Sequence, residues 1–186
     1  MHKAIDDYQI TFEKVYPYAD YITINISSPN TKNLRDLQQS DAFDALCNTM
    51  KQCQARCHQK TGRYVPIAIK IAPDLTHAQI DGIASSCLKH NIEAIIATNT
   101  SNQRPKQLKT SPHIAQQQGG LSGAPLFDLA TPVISRLNQV LHGQIPIIAA
   151  GGIDSKEKVQ QRAKQGAQLF QVYSGLIYGL LPKQFN

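Results

Sequence analysis

Five short runs rich in isoleucine and valine recur along the chain, and longer stretches with helical periodicity separate them. The runs predict β-strands at 21–27, 65–72, 92–98, 145–150 and 169–173. The stretches between them predict helices at about 4–16, 40–59, 76–90, 126–141 and 155–165. Ser40, Thr76 and Ser155 have side-chain oxygens suited to N-caps. Apolar strands that alternate with helices predict an α/β chain with a parallel sheet.

The ends of the strands decide between two α/β architectures, a doubly wound sheet and a (β/α)8 barrel. Polar residues and glycines follow every predicted strand, and in a barrel the carboxyl ends of all strands surround one active site. This pattern favours a barrel. A closed barrel needs eight strand–helix units and about 250 residues, so the chain accounts for only part of one. The long loop at about 100–124 has a length that is usually functional.

Composition excludes several other classes of protein. Hydrophobic residues make up 41% of the 186 residues and charged residues 17%, which is unlike a disordered chain. The longest apolar stretches, such as 145–153, are too short to cross a bilayer, and the first residues lack the apolar core of a signal peptide. A cytoplasmic location is therefore the default expectation.

Charge and cysteine content give weaker guidance. The net charge of +6 favours anionic ligands, but the basic residues are scattered, so we do not expect a nucleic-acid partner. Cys53, Cys57 and His58 have a spacing that faintly suggests a metal site, with no second ligand pair at finger-like spacing. We expect no metal and predict reduced, partly buried thiols at Cys47, Cys53, Cys57 and Cys87.

Three glycine-containing segments predict a phosphate-binding cradle. GGLSG at 119–123 precedes a helix, GGIDS at 151–155 joins a strand to a helix, and YSG at 173–175 ends the last strand. Backbone N–H groups of such loops can converge on an anion. Each glycine alone is explained by turn geometry, but a phosphate site built after strands seven and eight recurs in barrels.

Several polar side chains at the predicted strand ends suit a polar ligand. Lys70 lies in the apolar run IAIKIAP, where a charge either reaches the rim or faces an anionic ligand, and we favour the ligand. Asn25, Asn30 and Asn99 offer amide donors and acceptors for a planar heterocycle or a carboxylate, although turn formation would also explain them. Ser28 lacks both a nucleophile elbow and a strand-end histidine, which argues against acyl transfer.

Two acidic residues near the strand ends, Asp74 and Asp154, are interpreted as cap or turn residues rather than as a catalytic pair.

Six segments together resemble the class 2, quinone-linked dihydroorotate dehydrogenases. They are ADYITINISSPNTKNLRDLQ at 19–38, VPIAIKIAPDL at 65–75, IIATNT at 95–100, GGLSGAPL at 119–126, IPIIAAGGIDS at 145–155 and QVYSG at 171–175. The resemblance covers nearly the whole chain, but only the C-terminal part of that family's barrel. It implies a partial (β/α)8 (TIM) barrel in which residues 1–186 supply strands four to eight with their helices, and the N-terminal part is absent.

The resemblance also implies an activity and a set of site residues. The family oxidises dihydroorotate to orotate in pyrimidine (UMP) biosynthesis, using FMN and a quinone acceptor, and it associates with the cytoplasmic face of the inner membrane through an N-terminal anchor that has no counterpart here. Ser28 matches the family's catalytic base. The residues that match substrate contacts are Asn25, Asn30, Asn99 and Thr100. The residues that match FMN contacts are Asn25, Lys70, Thr98, Gly123, Gly152, Tyr173 and Ser174.

Two alternatives to an active dehydrogenase remain at the level of sequence. A truncated, inactive chain would expose sheet edges and could self-associate through them. A different phosphate-binding barrel enzyme, such as a lyase or an isomerase, would explain the glycine loops but not NISSPN together with KIAPD and ATNT.

Overall fold

The computed structural model describes residues 2–31 and 34–178, and it contains one sheet of five parallel strands. The strands are β1 (Ile22–Asn25), β2 (Ile67–Ile71), β3 (Ala94–Ala97), β4 (Ile147–Ala150) and β5 (Leu169–Gln171). All five predicted strands are confirmed, with shorter bounds. The first strand ends early because the backbone N–H of Ser27 turns to the side-chain oxygen of Asn25, at 3.3 Å, instead of continuing the ladder.

Helices form at all five predicted places and also at Pro112–Ala115 and Ser174–Ile177, which were not predicted. They are α1 (His2–Val15), α2 (Ser40–Thr61), α3 (His77–Lys89), α4 (Pro112–Ala115), α5 (Leu126–Leu141), α6 (Lys156–Lys164) and α7 (Ser174–Ile177). Thr76 caps α3 in a capping box with Gln79, and Ser155 caps α6. The prediction that Ser40 caps α2 is wrong. A 3-10 turn at Leu34–Gln38 leads directly into this helix, so Gln39 takes the N-cap position and Ser40 is the first helical residue.

The strands follow one another in sequence order across the sheet, β1-β2-β3-β4-β5. A doubly wound sheet reverses its strand order at a switch point, so the observed order supports the barrel prediction. The sheet also curls, as a contact between its two ends shows: the Gln171 side-chain amide of the last strand donates to the Tyr21 hydroxyl, which directly precedes the first strand, at 3.4 Å. Five consecutive strands with this curvature form part of a barrel wall.

Side chains alternate between the two faces of this wall. Ile67, Ile69 and Ile71 point outwards into the main core, which they share with the helices, and all three are fully buried. The opposite, concave face carries a much smaller apolar cluster formed by Ala68, Ile96, Ile148 and Ala150. Packing against the helices therefore supplies most of the apolar burial.

The two outer strands present apolar side chains to solvent. Tyr21 is 51% exposed beside the first strand, and Leu169 is 55% exposed on the last one. Within the described residues, β1 and β5 each pair with a strand on one side alone. These are the open sheet edges expected of a partial barrel.

The four cysteines are all free and buried, more completely than predicted. In the described ranges, no group of three or more histidine, cysteine or acidic side chains is arranged to hold a metal ion.

Among the described helices, none combines the length and the apolarity that a membrane span requires.

Glu93 organises a hydrogen-bond network at the start of β3. Its carboxylate accepts hydrogen bonds from the Lys51 ammonium, the Tyr64 hydroxyl and, at 2.8 Å, the Ile67 backbone N–H. Burial alone would raise the pKa of Glu93, but the hydrogen bonds from Lys51, Tyr64 and Ile67 outweigh it and lower the pKa below its ordinary value. The ionised carboxylate therefore stabilises the junction between α2 and the sheet.

We expect Glu93→Gln to lower the free energy of unfolding at neutral pH by about 1–3 kcal/mol, because it removes the charged acceptor from the partly buried Lys51 ammonium and from the backbone N–H of the buried Ile67. A group with a lowered folded pKa stabilises above its unfolded pKa, about 4.3, and loses that contribution as the pH falls through the folded value. The difference in the free energy of unfolding between wild type and Glu93→Gln should therefore become smaller as the pH falls. Urea unfolding of both proteins between neutral pH and pH 3 measures this, with Asp7→Asn on the exposed side of α1 as the control. A difference that is constant with pH would contradict the assignment.

Candidate active site

A cavity of about 650 Å³ opens at the carboxyl ends of the strands. Its size lies within the range of small-molecule sites. Most of the predicted site residues line it, namely Lys70, Thr98, Asn99, Thr100, Gly123, Gly152, Tyr173 and Ser174. Asn25, Ser28 and Asn30 do not belong to its lining. The structure therefore brings the predicted FMN residues together, apart from Asn25, and leaves Ser28 and Asn30, which follow β1, outside the cavity lining.

Lys70 reaches the cavity because of its place in β2. Its neighbours Ile69 and Ile71 point to the outer core, so strand alternation turns Lys70 to the concave face. The side chain is half-buried, and this burial lowers the pKa of Lys70. Among the described residues, no carboxylate lies within 4.0 Å of its ammonium group. The cavity thus has a cationic group that is available to an anionic ligand.

Two glycines are required by close approaches, and one of them, Gly152, lines the cavity. Gly152 has φ +70°, a left-handed conformation, and a Cβ there would overlap the backbone nitrogen of Phe127. A Cβ at Gly120 would overlap the Thr100 hydroxyl. The first contact presses the loop after β4 against the start of α5, and the second holds the 119–123 segment against the loop after β3. The first contact shapes the part of the cavity that Gly152 lines, and Gly123 lines the same cavity.

Asn25 is connected to the cavity by a network of amide and hydroxyl groups. The Asn99 side-chain amide donates to Asn25 Oδ1 at 3.2 Å and to Ser27 Oγ at 3.1 Å. Ser27 Oγ in turn donates to Asn25 Oδ1 at 2.9 Å. These bonds use the Asn25 oxygen and leave its amide nitrogen without a protein acceptor in the described part of the chain. That nitrogen can donate to a ligand beside Lys70, the register partner of Asn25 on β2.

Ser28 and Asn30 lie on the loop after β1. The backbone N–H of Asn30 donates to Ser28 Oγ at 3.2 Å. Within residues 2–31 and 34–178, no histidine or carboxylate hydrogen-bonds to Ser28. The hydroxyl therefore keeps its proton free to donate, and no protein base is in contact to remove it.

An ion pair that the sequence analysis missed ties three loops together. Arg35 binds Asp74 at 2.7 Å and also donates to the carbonyl oxygens of Ser27, at 3.2 Å, and Thr100, at 3.0 Å. The Asp74 carboxylate also accepts from the Ser101 hydroxyl and from the backbone N–H of Asn102. Asp74, interpreted from the sequence as a local cap or turn residue, instead joins separate loops. Opposite charges that follow neighbouring strands were the available signal.

The second acidic residue, Asp154, pairs with Lys158 at 2.8 Å, one helical turn along the chain.

Arg35→Met should loosen the three loops. We expect the free energy of unfolding to fall by about 1–3 kcal/mol, because the substitution removes the cationic donor of the Asp74 carboxylate and leaves two carbonyl oxygens without their donor. Hydrogen exchange at the backbone amides of Ser27 and Ser101 should become faster. Arg56→Met, which removes a solvent-exposed ion pair with Glu13, is the matched control and should leave both quantities nearly unchanged. Equal effects of the two variants would show that Arg35 does not organise these loops.

Comparison with known proteins identifies relatives for nearly the whole chain. A sequence model of the family described as dihydroorotate dehydrogenase matches residues 1–182. The chain is 52% identical over 176 residues to a dihydroorotate dehydrogenase (quinone) of Methylobacillus flagellatus, covering 95% of this chain and 52% of the relative. It is 53% identical over 178 residues to that of Nitrosomonas eutropha, covering 96% and 52%. The chain spans about half the length of the curated relatives it matches.

Solved structures show the same relation in three dimensions. The crystal structure of DHODH from Eimeria tenella in complex with ferulenol superposes with a TM-score of 0.88 at 34% sequence identity, covering 95% of this chain and 50% of that one. The ligand-free form gives a TM-score of 0.87 at 35% identity, covering 95% and 52%. The described strands and helices therefore correspond to half of a larger barrel.

Proposed function

Because this chain belongs to the dihydroorotate dehydrogenase family, we propose that it forms the cofactor-facing half of an enzyme that oxidises dihydroorotate to orotate. In this proposal FMN is the cofactor, a quinone is the electron acceptor and the pathway is pyrimidine (UMP) biosynthesis. The observation that carries the proposal is the cavity, in which Lys70, the Asn99 amide and the Gly152 loop face one space. Family membership sets aside the lyase and isomerase alternative.

The residues present fit a phosphorylated flavin. The glycine wall at Gly123 and Gly152 brings backbone close to the cavity, as a phosphate group requires. Lys70 lines the same cavity and supplies a positive charge with no internal partner among the described residues. The volume of about 650 Å³ is sufficient for a flavin-sized ligand. We propose that Asn25, Lys70, Thr98, Gly123, Gly152, Tyr173 and Ser174 hold FMN.

The chemistry that bound FMN supplies is acceptance of a hydride from C6 of dihydroorotate, followed by transfer of the electrons to a quinone. Lys70 places its ammonium at the cavity wall, where it stabilises negative charge that develops on the bound ligands. Asn25, Asn30, Asn99 and Thr100 bind the pyrimidine and its carboxylate with their amide and hydroxyl groups. Each of these assignments concerns a side chain at the carboxyl end of a strand or in the loop that follows it.

We propose that Ser28 receives the proton from C5 of the substrate at its Oγ. A serine hydroxyl is a weak base, and no histidine or carboxylate contacts Ser28 in the described residues. We therefore propose that Ser28 passes the proton on to water as it accepts the new one. The hydrogen bond from the Asn30 N–H to Ser28 Oγ, at 3.2 Å, fixes the position of the oxygen during this exchange.

Two partners are proposed for the protein, a membrane and a second copy of the chain. A quinone acceptor is dissolved in a membrane, so we propose that the protein works at the cytoplasmic face of the inner membrane, as a peripheral protein. We also propose that exposed edges such as those at Tyr21 and Leu169 support self-association. Light scattering of the purified chain over a range of concentrations tests the second proposal. A monomer at all concentrations would contradict it.

Flavin binding tests the proposed function. We expect the purified chain to retain FMN through gel filtration, with a visible absorption band that migrates with the protein. A chain that remains colourless after incubation with FMN would overturn the proposal and would support the alternative of an inactive fragment.

A further inference from the structure

Arg162 on α6 is a buried cation behind the glycine wall of the cavity. Its side chain has 0% exposure, although arginine is rarely buried without an ionic partner. The guanidinium stacks on the Phe127 ring at 3.8 Å and donates to the Phe127 carbonyl oxygen at 2.6 Å. A longer contact of 3.5 Å reaches the carbonyl oxygen of Gly151, which lines the cavity. Arg162 therefore joins the loop after β4 to the first turn of α5.

No carboxylate of the described residues neutralises this charge at close range. Among the described residues, no acidic side chain lies within 4.0 Å of the guanidinium, and Nε has no hydrogen-bond partner. Nη1 donates to two neutral side-chain oxygens, those of Thr131 at 2.9 Å and Gln165 at 2.8 Å. Burial lowers the pKa of Arg162 to about 10, partly opposed by the more distant charge of Asp128, so the group is still protonated at neutral pH. A buried charge of this kind is costly to the fold.

The position of the charge connects it to the cavity. Gly152 lines the cavity on one side and lies against the Phe127 backbone on the other. Arg162 holds that same Phe127 backbone from behind. Arg162 thus contacts the backbone of Gly151, which lines the cavity, and of Phe127, against which Gly152 lies, and in so buried a place its charge is weakly screened.

We propose that Arg162 is a positioning residue for a phosphate ester. It fixes the Gly151 and Phe127 backbone and supplies the buried positive charge that a phosphate dianion at the glycine wall neutralises. This inference rests on the proposed function and deepens it, because it gives the binding of the phosphate group a positioning residue that does not line the cavity. It also explains why an unpaired arginine remains at this place in the core.

Comparison of FMN with riboflavin, which lacks the phosphate, separates this role from a merely structural one. The affinities of both flavins are measured by fluorescence titration of the 186-residue chain in wild type, Arg162→Met, Arg162→Gln and Arg162→Lys. The glutamine variant keeps a donor for the carbonyl oxygens, and the lysine variant keeps the charge. Lys164→Met removes an exposed cation from the same helix and is the control for net charge.

We expect the two neutral variants to bind FMN at least about tenfold more weakly, which is the change that about 1.4 kcal/mol produces. Riboflavin affinity should change less than about threefold, and Arg162→Lys should restore most of the FMN affinity. Equal losses for FMN and riboflavin in the neutral variants, or a loss of FMN affinity in Lys164→Met as large as theirs, would overturn this inference alone. A wild-type chain that binds neither flavin would overturn the proposed function and this inference with it.

Discussion

Ser28→Ala should slow the reduction of bound FMN by dihydroorotate by about 10²- to 10⁴-fold, the usual contribution of a general base. The substitution removes the oxygen that receives the C5 proton and changes little else, because Ser28 makes one hydrogen bond in the described residues, with the Asn30 N–H. Ser28 lies outside the cavity lining, so FMN affinity should stay within about threefold of wild type. Stopped-flow absorption of the flavin measures the rate, and fluorescence titration measures the affinity.

Ser85→Ala, on the exposed surface of α3, is the matched control and should leave the rate unchanged. A wild-type rate in Ser28→Ala would refute Ser28 as the base. A loss of FMN binding in the same variant would show instead that the loop after β1 belongs to the cofactor site.

Lys70→Met should weaken FMN binding by about ten- to a hundredfold and slow the reduction of the flavin that still binds, by about 10²-fold. Methionine has nearly the same length and no charge, so the cavity keeps its shape and loses its cation. Because burial lowers the pKa of Lys70, the charged form opposes folding. The variant should therefore be at least as stable as wild type at neutral pH.

The stability comparison has a defined pH dependence. A lysine whose folded pKa is lowered destabilises the fold while both states are charged, and this effect disappears as the pH rises to the unfolded pKa, about 10.4. The advantage of Lys70→Met should therefore shrink in alkaline solution. Lys60→Met, at the exposed end of α2, should alter neither flavin binding nor this profile. Undiminished FMN affinity in Lys70→Met would remove the proposed role of the lysine.

The apolar periodicity of the sequence was sufficient to predict the positions of the strands and of most helices. Burial on a parallel sheet requires continuous apolar runs, and these are visible in the sequence. Side-chain caps at Thr76 and Ser155 were also recognisable, since each depends on residues three positions apart. The cap at Ser40 was not, because the preceding 3-10 turn decides where the helix begins. Local signals thus predict local structure and fail where a neighbouring segment sets the boundary.

The residues of the candidate site also fall into those that local sequence predicts and those that it does not. Lys70 was identified because a charge in an apolar strand is unusual, and the glycine loops because they follow strand ends. Arg35 and Asp74 are 39 residues apart, and only their opposite charges after neighbouring strands indicate that they could pair. Arg162 lies in a helix with ordinary polar composition, where no pattern reveals a buried charge. Contacts between distant segments require the folded chain.

The separation of Ser28 from the cavity lining could not be predicted from the NISSPN motif. The segment NISSPN places Asn25 and Ser28 three residues apart, yet Asn25 is bonded to the cavity residue Asn99 whereas Ser28 is not. Backbone direction changes after Asn25, where its side chain accepts the Ser27 N–H. The proposed base and the proposed cofactor site are therefore distinct parts of the structure, which the Ser28 and Lys70 variants should separate experimentally.

The most direct test of the account is the visible absorption of the FMN-loaded chain during addition of dihydroorotate and then of a quinone, in the absence of oxygen. We expect the flavin absorption band to bleach when dihydroorotate is added and to return when the quinone is added. A chain that holds FMN but keeps its full absorption in dihydroorotate would contradict the proposal that these residues carry out the oxidation.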